Sequence, residues 1–243
     1  MILDNFPKVL WINLERSVER KLLMEKLLDE YKLDHTRINA VDGMGDNSEL
    51  DLICNKNNGI SSTENACTCS HILAIKHFVE NTTDNEIVIF EDDVSFEFLT
   101  YIPYNWSEFV KHLPENYNII QLCIIVGENN ISNILVRQKY EYFSTAAYLI
   151  KRETATQLLN KFYSRDANKI ELADKNYPAA DYAIYSIGNV YSIPIFVYQG
   201  TDSIIHSEHL SWHNRVKEDQ KRTWEKFALE AFDAEKYFGS FEK

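Results

Sequence analysis

The sequence predicts an α/β fold: a mostly parallel sheet flanked by helices and closed by a C-terminal amphipathic helix. Three observations predict it. The runs VLWINL (9–14), IVIF (87–90) and YNIIQLCIIV (117–126) are almost uninterruptedly apolar, as strands covered on both faces are. Segments with helical spacing of apolar residues lie between such runs. The two kinds alternate along the chain, which is the order of βαβ units.

The elements follow in turn. After the first strand, ERSVERKLLMEKLLDEYKL places Leu22, Leu23, Met24, Leu27, Leu28 and Tyr31 at helical spacing, with Ser17 as N-cap and Arg20 in the opening turn. HTRINAV (35–41) is the second strand. The next stretch, residues 42–62, is polar and rich in Gly and Asn, and reads as a long loop of the kind that often carries function. TENACTCSHILAIKHFVENTT returns to helical spacing through Ala66, Cys69, Ile72, Leu73 and Val79 and leads into IVIF. FSTAAYLIK (143–151) is a further strand, and Glu153 to Phe162 a helix with Ala155, Leu158, Leu159 and Phe162 inward. From Arg215 to Phe238, Trp224, Phe227, Ala228, Ala231 and Phe232 form one stripe. That stripe suits a closing helix docked on the domain, or one that binds a partner or a membrane surface.

Composition narrows the classes. At 243 residues and 45% hydrophobic content the chain can bury one compact core. Its net charge is −12, with 37 acids against 25 bases, so no basic surplus is left to neutralise a nucleic-acid backbone. No apolar run approaches the roughly 20 residues of a membrane span, and the N-terminus lacks the pattern of a secretory signal. The expectation is a cytoplasmic protein, with membrane-surface association as an option for its last helix. Cys54, Cys67, Cys69 and Cys123 do not form a disulfide framework, and Cys67-x-Cys69 lacks the second ligand pair of a structural zinc site, so reduced thiols are expected.

The stretch that asks for chemistry is IVIFEDDVSF. Glu91, Asp92 and Asp93 emerge at the carboxyl end of a buried strand, where ligands gather in open α/β sheets. Like charges this close require that one be protonated, that lysines reach in from elsewhere, or that a divalent cation bind. Oxygen ligands suit Mg2+ or Mn2+, and such an ion keeps positions for the phosphates of a nucleotide. Asn13, Arg16 and Arg20 follow the first strand, where Arg20 can meet a diphosphate with its planar fork; pairing of both arginines with neighbouring acids is the alternative. Asp42, with Gly43, stands at the end of the second strand, placed for a ribose or base contact or simply for a turn.

The blocks INLERSVER, INAVDG (38–43), ENACTCSH (64–71), IVIFEDDV (87–94), TAAYLIKRETATQLL (145–159) and AADYAIY (179–185) together resemble those of glycosyltransferase family 25, in the family's order. The resemblance implies a GT-A fold, a Rossmann-like domain that uses a nucleotide-sugar donor, usually with Mn2+, and transfers the sugar with inversion. It implies Asp93 as direct metal ligand, Asp92 as ribose contact, Glu91 as a supporting acid, and a late histidine, His206 with His209 behind it, completing the metal shell. Ser70 and His71 match the family's Ser-His. Asp181 aligns with its Pro-Val-Asp and is the expected base, although an N-cap role suits it too. Asn65-Ala66, Thr68-Cys69 and Thr145 depart from the family pattern, which leaves donor and acceptor preference open.

The expected organisation is a single domain over 1–243, with a nucleotide-sugar-binding half (1–125), an acceptor and catalytic half (126–214) and a closing helix (215–238). The expected substrates are a UDP-sugar, with galactose or glucose as the hexose, and a hydroxyl on a glycan or protein. A metal-dependent phosphohydrolase and a non-catalytic sugar-nucleotide or glycan binder are the rival readings.

Overall fold

The computed structural model describes residues 3–44, 48–57, 59–102, 104–126, 136–137, 142–173, 177–198 and 210–228. Its centre is a seven-stranded sheet. β1 (Val9–Asn13) lies parallel between β2 (His35–Asn39) and β3 (Glu86–Glu91). Next to β3 comes β6 (Ala147–Lys151), antiparallel both to β3 and to β4 (Ile119–Gln121). β7 (Val190–Ser192) runs parallel to β4, and β5 (Val136–Arg137) closes the edge antiparallel to β7. The order is β2-β1-β3-β6-β4-β7-β5, and every strand but β6 and β5 shares one direction.

Side-chain alternation along each strand builds two apolar layers. Val9, Trp11, Val88 and Phe90 enter the layer that contains Met24, Leu28, Phe96, Phe109, Phe196 and Trp224. Leu10, Ile12, Ile87 and Ile89 enter the opposite layer with Ile72, Ile75, Phe78, Leu158 and Phe162. The first is covered by α1 (Val18–Glu30), α4 (Trp106–Lys111) and α7 (Leu210–Ala228). The second is covered by α3 (Ser62–Asn81), α5 (Arg152–Phe162) and α6 (Ala180–Ile184).

α3 is the most deeply set helix, and both its ends are fixed. Ser61 and Glu64 form a reciprocal capping box at the start. At the other end the guanidinium of Arg152 donates to the carbonyls of Phe78, Val79, Thr82 and Asp84 at 2.6–3.3 Å, satisfying groups the helix leaves open.

Three expectations need correction. On α1 only Met24 and Leu28 are buried, whereas Leu22 and Leu23 are 60% and 59% exposed, because the helix rests on a narrow edge. At about 100° per residue these two leucines turn away from it. The stretch 42–62 is not all loop. It contains α2 (Ser48–Ile53), pinned by the fully buried Leu50, and Cys54–Asn55, which pairs parallel with Lys169–Glu171. α7 starts at Leu210 rather than Arg215. Its inward seam is His213, Val216, Gln220 and Trp224, with Gln220 Nε2 donating to Ile124 O and Trp224 Nε1 to Pro194 O, both at 2.8 Å. Ala228 is exposed, and residues 229–238 of the expected stripe lie outside the described residues. Among the described residues no helix is long and apolar enough to cross a membrane, and all four cysteines are free.

Arg152→Ala is expected to lower stability by about 2–3 kcal/mol, the loss of charge-assisted bonds to helix-end carbonyls. Urea denaturation at constant m-value checks it.

Candidate active site

β1, β2 and β3 end together, with Asn13 opposite Asn39 and Ile12 opposite Glu91. Past Glu91 the chain turns through Asp92 and Asp93 before Val94–Ser95 pairs with Val197–Tyr198. The three acids therefore face different neighbours. Glu91 looks toward α3: its Oε1 accepts from Thr145 Oγ1 at 2.8 Å and lies 3.3 Å from His71 Nε2. His71 Nδ1 lies 3.1 Å from the Tyr148 hydroxyl. Asp92 looks toward α1, accepting from Asn13 Nδ2 at 2.6 Å and pairing with the Arg20 guanidinium. The same guanidinium sits 3.1 Å from Asp93 Oδ2. Asp93 Oδ1 is buried and has no hydrogen-bond partner among the described residues.

Two of the three ways to relieve such crowding are thus in use. A basic side chain reaches in, although it is an arginine, and one acid is held near protonation. Burial, then the charge of Glu91, push Asp93 up to about 7, against the pull of Arg20. Burial also raises Asp92, opposed by Arg20 and Asn13. Glu91 feels the same burial, yet the bonds from His71 and Thr145 and the charge of Arg20 hold it below its ordinary value. A buried carboxylate oxygen with no donor, among oxygen ligands that Arg20 only partly neutralises, fits a hard divalent cation.

Two cavities meet at these acids. One, of about 160 Å³, lies over the ends of β1 and β2 and the start of α3. Asn13, Arg16, Arg20, Asp42, Ser70, His71, Glu91, Asp92 and Asp93 all line it. The other, of about 340 Å³, is walled by Phe143, Tyr182, Tyr198 and Trp212 and contains Asp181. Glu91, Asp93 and Cys67 line both.

Within the first cavity the side chains have different freedom. Arg16 makes a two-pronged bond to Asp42, with Nε 2.6 Å from Oδ2 and Nη2 3.1 Å from Oδ1, and this bond draws Asp42 below its ordinary value. Ser70 is spoken for: its hydroxyl donates to Ala66 O and accepts from Val41 N, tying α3 to the loop after β2. Gly43 is required by packing rather than by a turn, since a Cβ there would stand 2.5 Å from Ser62 O and 2.6 Å from Thr63 Cα. His206 and His209 lie outside the described residues.

Asp181 is held by a network that sequence reading missed. It sits in the first turn of α6, whose N-cap is Ala179, and its Oδ1 takes the backbone N–H of Ser144 instead of capping the helix. Ser144 has φ +98°, a region a side-chain-bearing residue occupies only when its surroundings force it. Here Gln121 Nε2 and Tyr185 Oη both donate to its carbonyl, at 2.9 and 2.8 Å, and Ser192 Oγ donates to Gln121 Oε1 at 2.7 Å. Its place in the first turn of a helix does not lower Asp181. Burial outweighs the Ser144 bond and pushes it up to about 6.

The sequence profile of glycosyltransferase family 25 (LPS biosynthesis protein) matches residues 6–173. The chain belongs to glycosyltransferase family 25. As a family 25 glycosyltransferase it carries its strand-end acids and α3 inside the matched stretch, whereas Asp181 lies beyond it. Among solved structures, 87% of this chain aligns with 98% of a glycosyltransferase involved in glycosylation of the major capsid of PBCV-1, at 8% identity and a TM-score of 0.45. Another 10% identical alignment joins 79% of the chain to 83% of A197 from STIV, TM-score 0.45. The inositol-1-phosphate CTP transferase from T. maritima aligns over 87% of this chain and 96% of its own, at 13% and 0.35. At these scores the likenesses carry nothing about the site. A search of curated protein sequences gave no match.

Gln121→Leu leaves the Ser144 carbonyl and the Ser192 hydroxyl each short of a buried partner. It is expected to cost about 1–3 kcal/mol, read by chemical denaturation.

Proposed function

We propose that this glycosyltransferase moves a hexose, galactose or glucose, from a UDP-sugar to a hydroxyl of a glycan or protein acceptor, with inversion and with dependence on Mn2+ or Mg2+. The observation that carries the reading is that Glu91 and Asp93 line both cavities, so one pair of acids faces a donor chamber and an acceptor chamber at once.

In this reading the UDP moiety occupies the first cavity. Arg16 and Arg20 meet its phosphates, Asp42 and Asp92 its ribose or base, and Asn13, Ser70 and His71 shape the walls. Asp93 holds the cation with support from Glu91, and His206 remains the proposed late ligand. When bound, the cation acts as a Lewis acid that offsets negative charge on the departing diphosphate.

Asp181 acts as the base. Its Oδ1 is fixed by the backbone N–H of Ser144. The acceptor hydroxyl gives its proton to this carboxylate as its oxygen bonds to the anomeric carbon from the face opposite the diphosphate. The sugar–phosphate bond breaks and UDP leaves with the electron pair. A carboxylate near 6 is ionised at neutral pH yet basic enough to share the proton as the new bond forms. The aromatic walls of the second cavity suit the apolar face of an acceptor sugar.

Transfer from UDP-galactose or UDP-glucose, followed by mass spectrometry of the product across a panel of glycan and peptide acceptors, tests the reading. Sugar release unaffected by any acceptor would indicate a phosphohydrolase, and donor binding without turnover a binding protein. Asp93→Ala is expected to abolish transfer and Mn2+-dependent donor binding, with a metal-free thermal midpoint no lower than that of the parent; normal transfer would remove the metal assignment. Asp181→Asn is expected to keep donor affinity and lose kcat by about 100-fold or more. In the parent enzyme, kcat/KM is expected to fall on acidification through about pH 6, as Asp181 takes up its proton.

A further inference from the structure

Cys67 has no part in the transfer described above, yet it borders both cavities. It lies one turn before His71 on α3, on the same face, and both approach Glu91. One ligand atom from each of the three, a sulfur, an imidazole nitrogen and a carboxylate oxygen, falls within 4.8 Å of the others.

We propose that Cys67, His71 and Glu91 form a second cation site, selective for Zn2+ or another thiophilic dication, and that its occupation excludes the hard cation of the donor complex. The donor set is the first argument. Thiolate and imidazole select zinc, whereas Mg2+ and Mn2+ favour oxygen. Geometry is the second. Nitrogen and oxygen ligands of tetrahedral zinc, each at about 2.0–2.1 Å, stand roughly 3.3–3.4 Å apart, and His71 Nε2 and Glu91 Oε1 are 3.3 Å apart.

The surroundings are the third. The Tyr148 hydroxyl at His71 Nδ1 directs Nε2 toward Glu91, and Thr145 Oγ1 orients the Glu91 carboxylate, as outer partners of metal ligands do. α3 is fixed at both ends, so the Cys67–His71 spacing is preset. Three protein ligands leave a fourth position for water on the cavity side. Binding releases one proton to solvent: the Cys67 S–H bond breaks as the zinc–sulfur bond forms.

Exclusion follows because Glu91 serves both sites. A dication bound to it cancels charge that Asp93 shares and repels a second dication alongside. Zinc binding does not depend on the function proposed above; the antagonism does, and the two can fail separately.

Co2+ added to the metal-free full chain is expected to produce a near-ultraviolet thiolate-to-cobalt band that Zn2+ bleaches. Asp93→Ala retains the band. Cys67→Ala and His71→Ala lose it and weaken Zn2+ binding at least about tenfold. Absence of the band, or its survival in Cys67→Ala through the buried Cys54 and Cys69, overturns the site. In the unmutated protein, peptide mass spectrometry should show Zn2+ shielding Cys67 from iodoacetamide; equal labelling with and without zinc also overturns it. With zinc bound, the Mn2+ concentration needed for UDP binding should rise at least about tenfold, and an unchanged requirement refutes the exclusion.

Discussion

A carboxylate oxygen buried with no donor among the described residues is the feature around which this molecule is arranged. Asp93 Oδ1 sits just past a strand whose four central residues are buried, beside two more acids and with Asp181 across the cavity. An isolated protein gains nothing from this placement: burial and like charge both oppose ionisation. Arg20 answers part of the charge by spanning Asp92 and Asp93. What is left over is a negative, oxygen-lined hollow that a dication and a diphosphate can fill together. An acidic chain can bind an anionic donor in this way.

The sheet supplies the rest of the geometry. Parallel β1, β2 and β3 deliver Asn13, Asp42 and the acids to one edge, and the antiparallel β6 brings Thr145 and Tyr148 back to the same edge from the opposite direction. Just before β6, Ser144 adopts its strained conformation and offers its N–H to Asp181. Strain of this kind persists where neighbours overdetermine it, and here Gln121 and Tyr185 do so. Asp181, the proposed base, is therefore set by the packing of the sheet rather than by the short helix on which it lies.

Much of this was legible in the sequence. β1 to β4, β6, α3 and α5 follow from apolar runs and helical stripes, whereas β5 and β7 were not read from the sequence and only Ile119–Gln121 of the run 117–126 lies in the central sheet; the capping box at Ser61 and Glu64 was written in the sequence though not singled out. The residues expected around the donor come together at one cavity. Other features were hidden for physical reasons. The direction of β6 leaves no trace, because a strand buried on both faces reads alike in either sense. α2 hangs on one buried leucine, and α7 docks through a histidine and a glutamine that an apolar count passes over. The Gln121–Ser144–Asp181 network joins residues far apart in the chain, and the rise of Asp181 to about 6 reflects burial that only the fold creates.

The central claim is that the strand-end acids are strained until a dication binds. The most direct measurement is the thermal midpoint from about pH 5 to 8, with chelator and with Mn2+. Asp93 is held above its unfolded value of 3.8, at about 7, so its contribution to stability is complete below the unfolded value and is lost as pH rises toward 7. The account predicts a midpoint that falls across this range in chelator, more shallowly in Asp93→Asn, and no such fall with Mn2+ present. The same slope with and without metal, and no difference in Asp93→Asn, would contradict it.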